Sequence, residues 1–400
     1  MKSFRLMRCI TICLCLALLL SPAGGLAQEA STASAARLEE RSLELMGHSL
    51  RWPQVTGLGD AALEETVNQR IGEALGMKEL TERMAALLSS EKKLTVAGWA
   101  GAITGDILCC ELTVTGPIRD LRVTESRRAC VIDLRDGSLL PLDAFFTDAA
   151  SAKQALETYL EETVAPELSP HQQAAELLPI PETFTLSPQA LTLIYPMEQL
   201  ETLAGHPGTV VLPWYEWAAW LDRSEDGLPA RLGVWELIDG GEDAAARIRA
   251  SVETGGLPGL PAAIGGALKD TAAADGLTAD PDLFEGGRYV QPDDGVWRDA
   301  WLITPFNPDA GDRVTELEGY TVTGIRADRI ALWGIRTGET TVDAWREVLG
   351  EPDHTVTLTA DQADAMRLPE GTSDYYLCGE HRLRLHADTE GVLRSVMVTK

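Results

Sequence analysis

The hydrophobic pattern changes from a helical period to a strand period near residue 93, and this change most constrains the fold. Apolar residues that recur every four positions predict an amphipathic helix, which begins after the N-cap residue Asp60: Leu63, Val67, Ile71 and Leu75. Strand-like apolar runs follow at 93–99, 106–115 and 128–134. Because short turns separate these runs, the sequence predicts an α+β domain, in which a helix precedes a mostly antiparallel sheet.

The sequence pattern of the remaining residues again predicts helices followed by antiparallel strands, in smaller units. The first domain is assigned to residues 46–223, and the polar run 222–229, which is rich in turn-forming residues, marks its boundary. Segments 230–320 and 321–400 each have a short helical pattern followed by strand patterns. We therefore expect one or two small modules, each a helix plus an antiparallel sheet, that are related as a diverged repeat.

The N-terminal residues 1–27 are typical of a signal peptide. Three basic residues precede the apolar run 9–20, which is short for a membrane span of about 20 residues. Small residues suit cleavage after Ala27, and an uncleaved N-terminal anchor is the alternative. Residues 28–45 are polar and rich in Ala and Ser, which predicts a linker. We expect an extracytoplasmic protein, secreted or associated with the cell envelope, without a membrane span after cleavage.

Acidic side chains outnumber basic ones by 61 to 34, which gives a net charge of −27 at pH 7. Binding to phosphate backbones requires clustered Lys and Arg, so this charge excludes a general nucleic-acid binder. Adhesion to anionic lipid is disfavoured for the same reason. The charge instead favours a cationic partner, because complementary fields speed the encounter of two proteins.

Four cysteines remain after removal of the signal peptide: Cys109, Cys110, Cys130 and Cys378. Adjacent strand residues point to opposite faces of a sheet, so one of Cys109 and Cys110 can face Cys130 on a neighbouring strand. An oxidising compartment permits a disulfide, for which Cys110–Cys130 is the candidate pair, and buried free thiols are the alternative. The spacing of the cysteines does not match a zinc site.

No motif for metal, cofactor or nucleophilic chemistry occurs in the sequence. The six histidines form no HExxH or similar metal spacing, and no GxSxG, Walker or dinucleotide-binding glycine pattern is present. A glycosidase needs two carboxylates that face one cleft, and the sequence marks no such pair. We therefore expect neither a metal nor a cofactor, and the sequence favours a binding protein over an enzyme.

Trp214, Trp217 and Trp220 are spaced three residues apart, and the pattern over 214–221 predicts a helix with the three indoles on one face. One interpretation is an aromatic platform that binds a sugar or an apolar partner. The simpler interpretation, which the sequence favours, is a helix that packs its aromatic face against the sheet. The three tryptophans are kept as candidate ligand-binding residues.

Several motifs of the first domain occur in the order found in a known family. They lie at 52–58, 67–71, 131–137, 142–146, and 184–186 with 191–195. In this order they resemble the extracytoplasmic domain of RsiV-type anti-sigma factors, which also precedes the catalytic domain of the peptidoglycan deacetylase PdaC. RsiV-type proteins bind lysozyme through this domain. The resemblance therefore implies lysozyme or a cell-wall fragment as the ligand.

The turn between the two central strands departs from this family's pattern. Members often carry Gly-Gly-Ala-His there, whereas this chain has Gly-Pro-Ile-Arg-Asp at 116–120. Arg119 and Asp120 of this turn are further candidate ligand-binding residues.

The last segment has a second resemblance. Its motifs at 338–352, 375–376 and 383–396 are similar to small envelope modules of the SmpA/OmlA and beta-lactamase-inhibitor-protein type. Those modules are scaffolds and binders, so the resemblance implies an interaction surface.

Together these observations favour a non-catalytic extracytoplasmic binding protein that recognises a protein, such as lysozyme, or a peptidoglycan fragment. A structural module of an envelope complex is the alternative. A hydrolase that acts on the cell wall is the least favoured hypothesis, because it would need a site assembled from scattered acidic residues and histidines.

Overall fold

Helices and antiparallel sheets make up the computed structural model, which confirms the α+β class. It describes residues 36–45, 48–87, 95–117, 123–165, 179–195, 208–260, 262–268, 278–280, 287–291, 300–305 and 320–400. All of these residues belong to the compact unit Ala35–Lys400. The predicted signal peptide 1–27 lies outside the described residues. Within the described ranges, no helix is both long and apolar enough to cross a membrane.

A five-stranded sheet comes first, with its strands in sequence order. They are β1 (Arg37–Leu45), β2 (His48–Thr56), β3 (Thr95–Thr104), β4 (Ile107–Pro117) and β5 (Val123–Asp133). Neighbouring strands pair antiparallel except β2 and β3, which pair parallel. A parallel pair needs a long crossover, which here consists of α1 (Ala61–Ala74) and α2 (Met77–Ala86). The predicted helix and the three predicted strands are confirmed.

The edge strand β1 differs from the sequence prediction, which assigns residues 28–45 to a linker. Arg37–Leu45 instead pairs along its whole length with β2. Leu38 and Leu43 lie opposite Val55 and Leu50 of β2 and pack against the core. The charged residues between them obscure the strand in the sequence, because edge strands usually carry charges toward solvent.

The first core lies between the crossover helices and one face of this sheet. Asp60 caps α1 as predicted, since its carboxylate accepts hydrogen bonds from the backbone N–H groups of Ala62 (2.9 Å) and Leu63 (3.2 Å). The buried side chains that α1 and β4 contribute include Val67, Ile71, Leu108, Leu112 and Val114. The four-residue apolar period therefore marks the buried face of α1, as expected.

A second core borders the opposite face of β4 and β5, where it includes Ile107, Cys109 and Val131. The elements that build it are a 3₁₀ turn (Leu142–Phe145), α3 (Ala149–Tyr159), a π-helical turn (Leu160–Val164), β6 (Phe184–Leu186), β7 (Ala190–Ile194), β8 (Thr209–Pro213), a 3₁₀ helix (Trp214–Trp217), α4 (Leu228–Arg231) and α5 (Val234–Asp239). Strands β6, β7 and β8 form an antiparallel sheet in that order. This core continues past residue 223, where the sequence analysis ends the first domain, so independent folding of 46–223 stays a prediction.

The last elements form the largest sheet. They are α6 (Ala244–Glu253), β9 (Thr278–Asp280), β10 (Gly287–Gln291), β11 (Ala300–Pro305), β12 (Gly324–Ala327), β13 (Ala331–Leu332), β14 (Ile335–Arg336), α7 (Val342–Leu349), β15 (His354–Leu358), α8 (Ala360–Ala365), β16 (Gly371–Cys378), β17 (His381–Asp388) and β18 (Leu393–Thr399). Eight of the strands pair antiparallel in the order β15-β16-β17-β18-β12-β11-β10-β9. The segments 230–320 and 321–400 therefore share one sheet, and α6 and α7 pack into the same third core.

The hairpin of β13 and β14 connects the third core to the second. The side chain of Gln189, before β7, donates to the carbonyl oxygen of Ala331 (2.8 Å) and accepts from the N–H of Ala331 (3.1 Å). Its amide also donates to the carbonyl oxygen of Pro258 (2.8 Å). Trp333 at the hairpin turn has a left-handed backbone with φ of 42°, and its ring packs against both cores. These contacts hold a rare conformation for a bulky residue in place.

A buried histidine lies on the large sheet. The Nδ1 atom of His386 lies 2.9 Å from the Ser373 hydroxyl, and its Nε2 atom lies 2.8 Å from the carbonyl oxygen of Pro369. Because a carbonyl oxygen only accepts, Nε2 carries the proton, and the neutral ring accepts from Ser373. Burial lowers the pKa of His386 to about 4, and the nearby Arg384 and Arg326 act in the same direction.

We predict that this histidine makes the protein sensitive to mild acid. The unfolded chain takes up the proton near the ordinary His pKa of about 6.5, whereas the folded chain does so only near 4, so stability falls as pH decreases through this window. The loss approaches about 3 kcal/mol at its limit. Urea unfolding at pH 7 and pH 4.5 measures it, and the variant His386→Gln should lose much of the dependence. An equal pH dependence in that variant would contradict the assignment.

Two tyrosines are buried in different cores of the protein. Tyr195 in the second core is fully buried, and its hydroxyl has no hydrogen-bond partner among the described residues, whereas the Tyr376 hydroxyl donates to the carbonyl oxygen of Gly350 (3.1 Å). We expect Tyr195→Phe to leave the free energy of unfolding unchanged or to raise it, because an unpaired buried hydroxyl is unfavourable. The matched variant Tyr376→Phe should lower it by about 1 kcal/mol. Denaturant unfolding of both variants tests this, and a greater loss in Tyr195→Phe would refute it.

Candidate binding groove

A surface groove of about 620 Å³ lies between α3 and the 3₁₀ helix Trp214–Trp217. This is within the range of about 300–1,000 Å³ that small-molecule sites occupy. Its lining combines aromatic rings with hydroxyls, an amide and two carboxylates: Ser151, Gln154, Ala155, Thr158, Tyr159, Glu162, Thr163, Glu216, Trp217 and Trp220.

One wall of the groove is the outer face of α3 and the π-helical turn that follows it. Asp148 caps the helix by accepting from the N–H groups of Ala150 (3.0 Å) and Ser151 (3.3 Å). The Ser151 hydroxyl also donates to this carboxylate (2.7 Å), and these hydrogen bonds lower the pKa of Asp148. The residues that face the second core are apolar and buried: Ala152, Leu156, Leu160 and Val164. The polar residues at the intervening positions are therefore left for the groove.

The other wall is the tryptophan segment, whose conformation differs from the prediction. The sequence predicts a helix over 214–221, but the structure has a 3₁₀ helix over Trp214–Trp217 followed by a turn. Trp217 is the last residue of this 3₁₀ helix, whereas Trp220 lies in the turn that follows, so the three indoles do not share one helix face as predicted. The segment is constrained at both ends. It follows the fully buried strand β8 directly, and Leu221 at its other end forms an isolated β-bridge with Phe146, which leaves little length for an α-helix.

The three tryptophans occupy different environments. Trp214 is only 2% exposed; its ring stacks on Phe145 at 5.8 Å, and its indole N–H donates to the carbonyl oxygen of Ser187 (2.9 Å). Trp214 thus belongs to the core and does not line the groove. Trp217 and Trp220 do line it, with ring centroids 5.1 Å apart.

Trp217 is the centre of an aromatic cluster at the base of the groove. Tyr159 of α3 meets its ring edge-on, with centroids 5.7 Å apart. Trp217 itself is 6% exposed, whereas Tyr159 and Trp220 are half-buried and present part of their rings to solvent. The rings of Tyr159 and Trp220 both contact the buried Trp217, so their exposed surfaces are positioned before any ligand binds.

Contacts from the last segment of the chain fix the rim of the groove. Arg329 donates to both carboxylate oxygens of Glu216, at 3.0 and 2.6 Å. The neighbouring Tyr215 is buried and shares a hydrogen bond with Thr337 (2.9 Å). Burial raises the pKa of Tyr215, which keeps its hydroxyl protonated. The position of Glu216 on the rim therefore depends on residues more than a hundred positions away in the sequence.

The groove suits binding of a ligand that has both apolar faces and hydroxyl or ammonium groups. Exposed ring surfaces can stack on the C–H faces of a sugar, and carboxylates accept hydrogen bonds from hydroxyls or ammonium groups. Among the residues that the structure describes, no three His, Cys, Asp or Glu side chains lie close enough to hold a metal ion.

The structure brings together some of the sequence-predicted site residues and leaves others apart. Trp217 and Trp220 line the groove, and Cys110 faces Cys130 elsewhere, across β4 and β5. Arg119 and Asp120 lie outside the described residues. The sequence analysis does not identify the groove residues of α3 or Glu216. The residue pattern of a helix shows which of its faces is polar, but it does not show which element that face meets.

Comparisons with known proteins give structural similarities only. No protein-family model and no curated protein matches the sequence. A DUF3298 family protein from Bacteroides fragilis is similar over 48% of this chain and 96% of that protein, with 14% identity and a TM-score of 0.39. A DUF3298 family protein from Pseudomonas aeruginosa is similar over 47% and 94%, with 11% identity and a TM-score of 0.34. A DUF4309 family protein from Bacillus subtilis is similar over 39% and 95%, with 11% identity and a TM-score of 0.22.

Proposed function

We propose that this chain is an extracytoplasmic binding protein and that the aromatic groove is its ligand site. The N-terminal pattern of residues 1–27 supports export. The order of motifs in 46–223, which resembles RsiV-type extracytoplasmic domains, supports recognition of a ligand from the cell wall or of a protein that acts on it.

The observation that carries the proposal is the pair of half-buried rings, Tyr159 and Trp220, held beside the buried Trp217 in a groove with a polar rim. A cell-wall glycan fits this chemistry, since a sugar ring offers C–H groups to the aromatic surface and hydroxyls to the rim. The rim groups that can receive those hydroxyls include Gln154, Glu162 and Thr158.

Soluble wall fragments test the groove directly. N-acetylglucosamine oligosaccharides and a soluble muropeptide are titrated into the protein, and binding is measured by calorimetry and by quenching of tryptophan fluorescence. We predict that Trp220→Ala weakens binding by about tenfold or more, because central aromatic contacts usually contribute more than about 1 kcal/mol.

A matched control exists on another surface of the same core. Trp235 of α5 is also half-buried; its ring lies under the Arg223 guanidinium at 3.9 Å, and its indole N–H donates to the carbonyl oxygen of Asp222 (3.0 Å). Trp235→Ala removes an equal aromatic area outside the groove and should leave binding unchanged. Equal losses in the two variants, or no binding by the unaltered protein, would refute the groove as the site for these fragments.

Lysozyme is the protein partner that we propose, on the basis of the RsiV-type resemblance and the net charge of −27. We predict that residues 28–400 co-elute with c-type lysozyme at low salt and at about 1 M salt, where the Debye length is only about 3 Å. A complex that survives high salt indicates a packed, specific interface. A complex seen only at low salt reflects unspecific attraction between opposite charges, and that result or no complex would remove lysozyme as the partner.

A further inference from the structure

Two cysteines face each other across the last two strands of the first sheet. Strands β4 and β5 pair antiparallel without a register shift, and Cys110 lies directly opposite Cys130. Their Sγ atoms are 3.2 Å apart, and the two thiols share a hydrogen bond. A disulfide needs Cβ atoms about 3.5–4.5 Å apart, whereas directly opposite strand residues have Cβ atoms about 4.5–5.5 Å apart. Joining this pair therefore requires rotation of the two side chains together with a small approach of the two strands.

The other cysteines that the structure describes are excluded as partners by their position. Cys109 precedes Cys110 on the same strand, so its side chain points to the opposite face and enters the second core. There its Sγ accepts a hydrogen bond from the backbone N–H of Leu186 (3.2 Å). Cys378 lies in the third core. Among the described cysteines, the geometry therefore allows the pairing of Cys110 with Cys130.

The surroundings of the pair favour a covalent bond over a metal site. Cys110 is 1% exposed and Cys130 is 6% exposed, and both contact the apolar side chains of the first core. A metal held by two thiolates needs further ligands, and no group of three such side chains occurs in the described part of the chain. A disulfide, in contrast, is neutral and compact, so burial in this core does not oppose it.

We propose that Cys110 and Cys130 form a cross-strand disulfide in the exported protein. The oxidant is a disulfide of the compartment, either a small-molecule disulfide or that of an oxidoreductase. The thiolate of one cysteine attacks the S–S bond of the oxidant, forms a mixed disulfide and releases one thiol. The thiolate of the second cysteine then displaces the other half of the oxidant. The two cysteines lose two protons and two electrons, and the oxidant becomes two thiols.

The burial of the pair determines when this reaction takes place. The hydrogen bond with Cys130 and burial raise the pKa of Cys110 well above its ordinary value. Since the thiolate is the attacking species, a reduced pair in the folded protein reacts slowly. The bond therefore forms while the chain is still unfolded or partly folded. Once enclosed, it resists reductants for the same reason, because a reductant cannot reach either sulfur.

Thiol labelling of residues 28–400 tests the pairing without any ligand, so its outcome is independent of the groove. The reduced, unfolded protein is refolded with glutathione disulfide, denatured without reductant and treated with iodoacetamide. We expect label at Cys109 and Cys378 and a peptide that joins Cys110 to Cys130. In Cys130→Ala, Cys110 should take up label. In Cys109→Ala, the linked peptide should persist. Label at all four cysteines of the unaltered chain, or a link that maps to Cys109, would overturn the proposal.

The stability of the protein provides a second measurement. The oxidised protein should unfold at a higher urea concentration than the reduced protein, because the link limits the freedom of the unfolded chain. This difference should persist in Cys109→Ala and disappear in Cys110→Ala. Reductant should break the link quickly in urea and slowly in its absence. Rapid reduction of the folded protein, or equal urea midpoints of the oxidised and reduced forms, would count against a buried structural disulfide.

Discussion

Strand β4 is buried on both faces along residues 107–110, and it contributes side chains to both the first and the second core. Its even-numbered side chains, such as Leu108 and Leu112, pack against α1 and α2, while Ile107 and Cys109 enter the second core. This first part of the strand has no solvent face, which explains the continuous apolar run 107–110, whereas Glu111 and Thr113 farther along the strand are half-buried. Each buried aliphatic side chain contributes on the order of 2 kcal/mol, so a change in β4 affects both cores at once.

Besides apolar packing, polar contacts connect segments that are far apart in the chain. Arg231 of α4 donates to Asp133 at the end of β5 (2.9 Å) and to Asp106 before β4 (2.6 Å). Hydrogen bonds and charge attraction from Arg135 and Arg231 overcome the effect of burial and lower the pKa of Asp133. Gln189 makes an equivalent connection to the hairpin of the last segment. Leaving one member of such a buried network unpaired costs more than the contact itself contributes, so these contacts specify how the cores meet.

The groove arises from the same packing. Trp214 and Tyr215 are anchored in the core, which sets the direction of the short helix and places the buried Trp217 at the base of the groove and the half-buried Trp220 at the surface. Arg329 then orients Glu216 on the rim. Contacts that position the side chains of a site before it meets a ligand reduce the entropy cost of binding. The aromatic groove, the core beneath it and the last segment consequently act as one unit.

The sequence by itself determined the α+β class, the helix α1, the strands β3 to β5 and the helix α7, because local periodicity encodes these elements and Asp60 caps α1. It also placed Cys110 and Cys130 on neighbouring strands. Only the tertiary structure decided that Arg37–Leu45 is an edge strand, that two predicted modules share one sheet, and that Trp214 is core while Trp220 is groove. The physical reason is that a local pattern reports which face of an element is apolar, whereas the partner of that face depends on contacts between residues far apart in the chain.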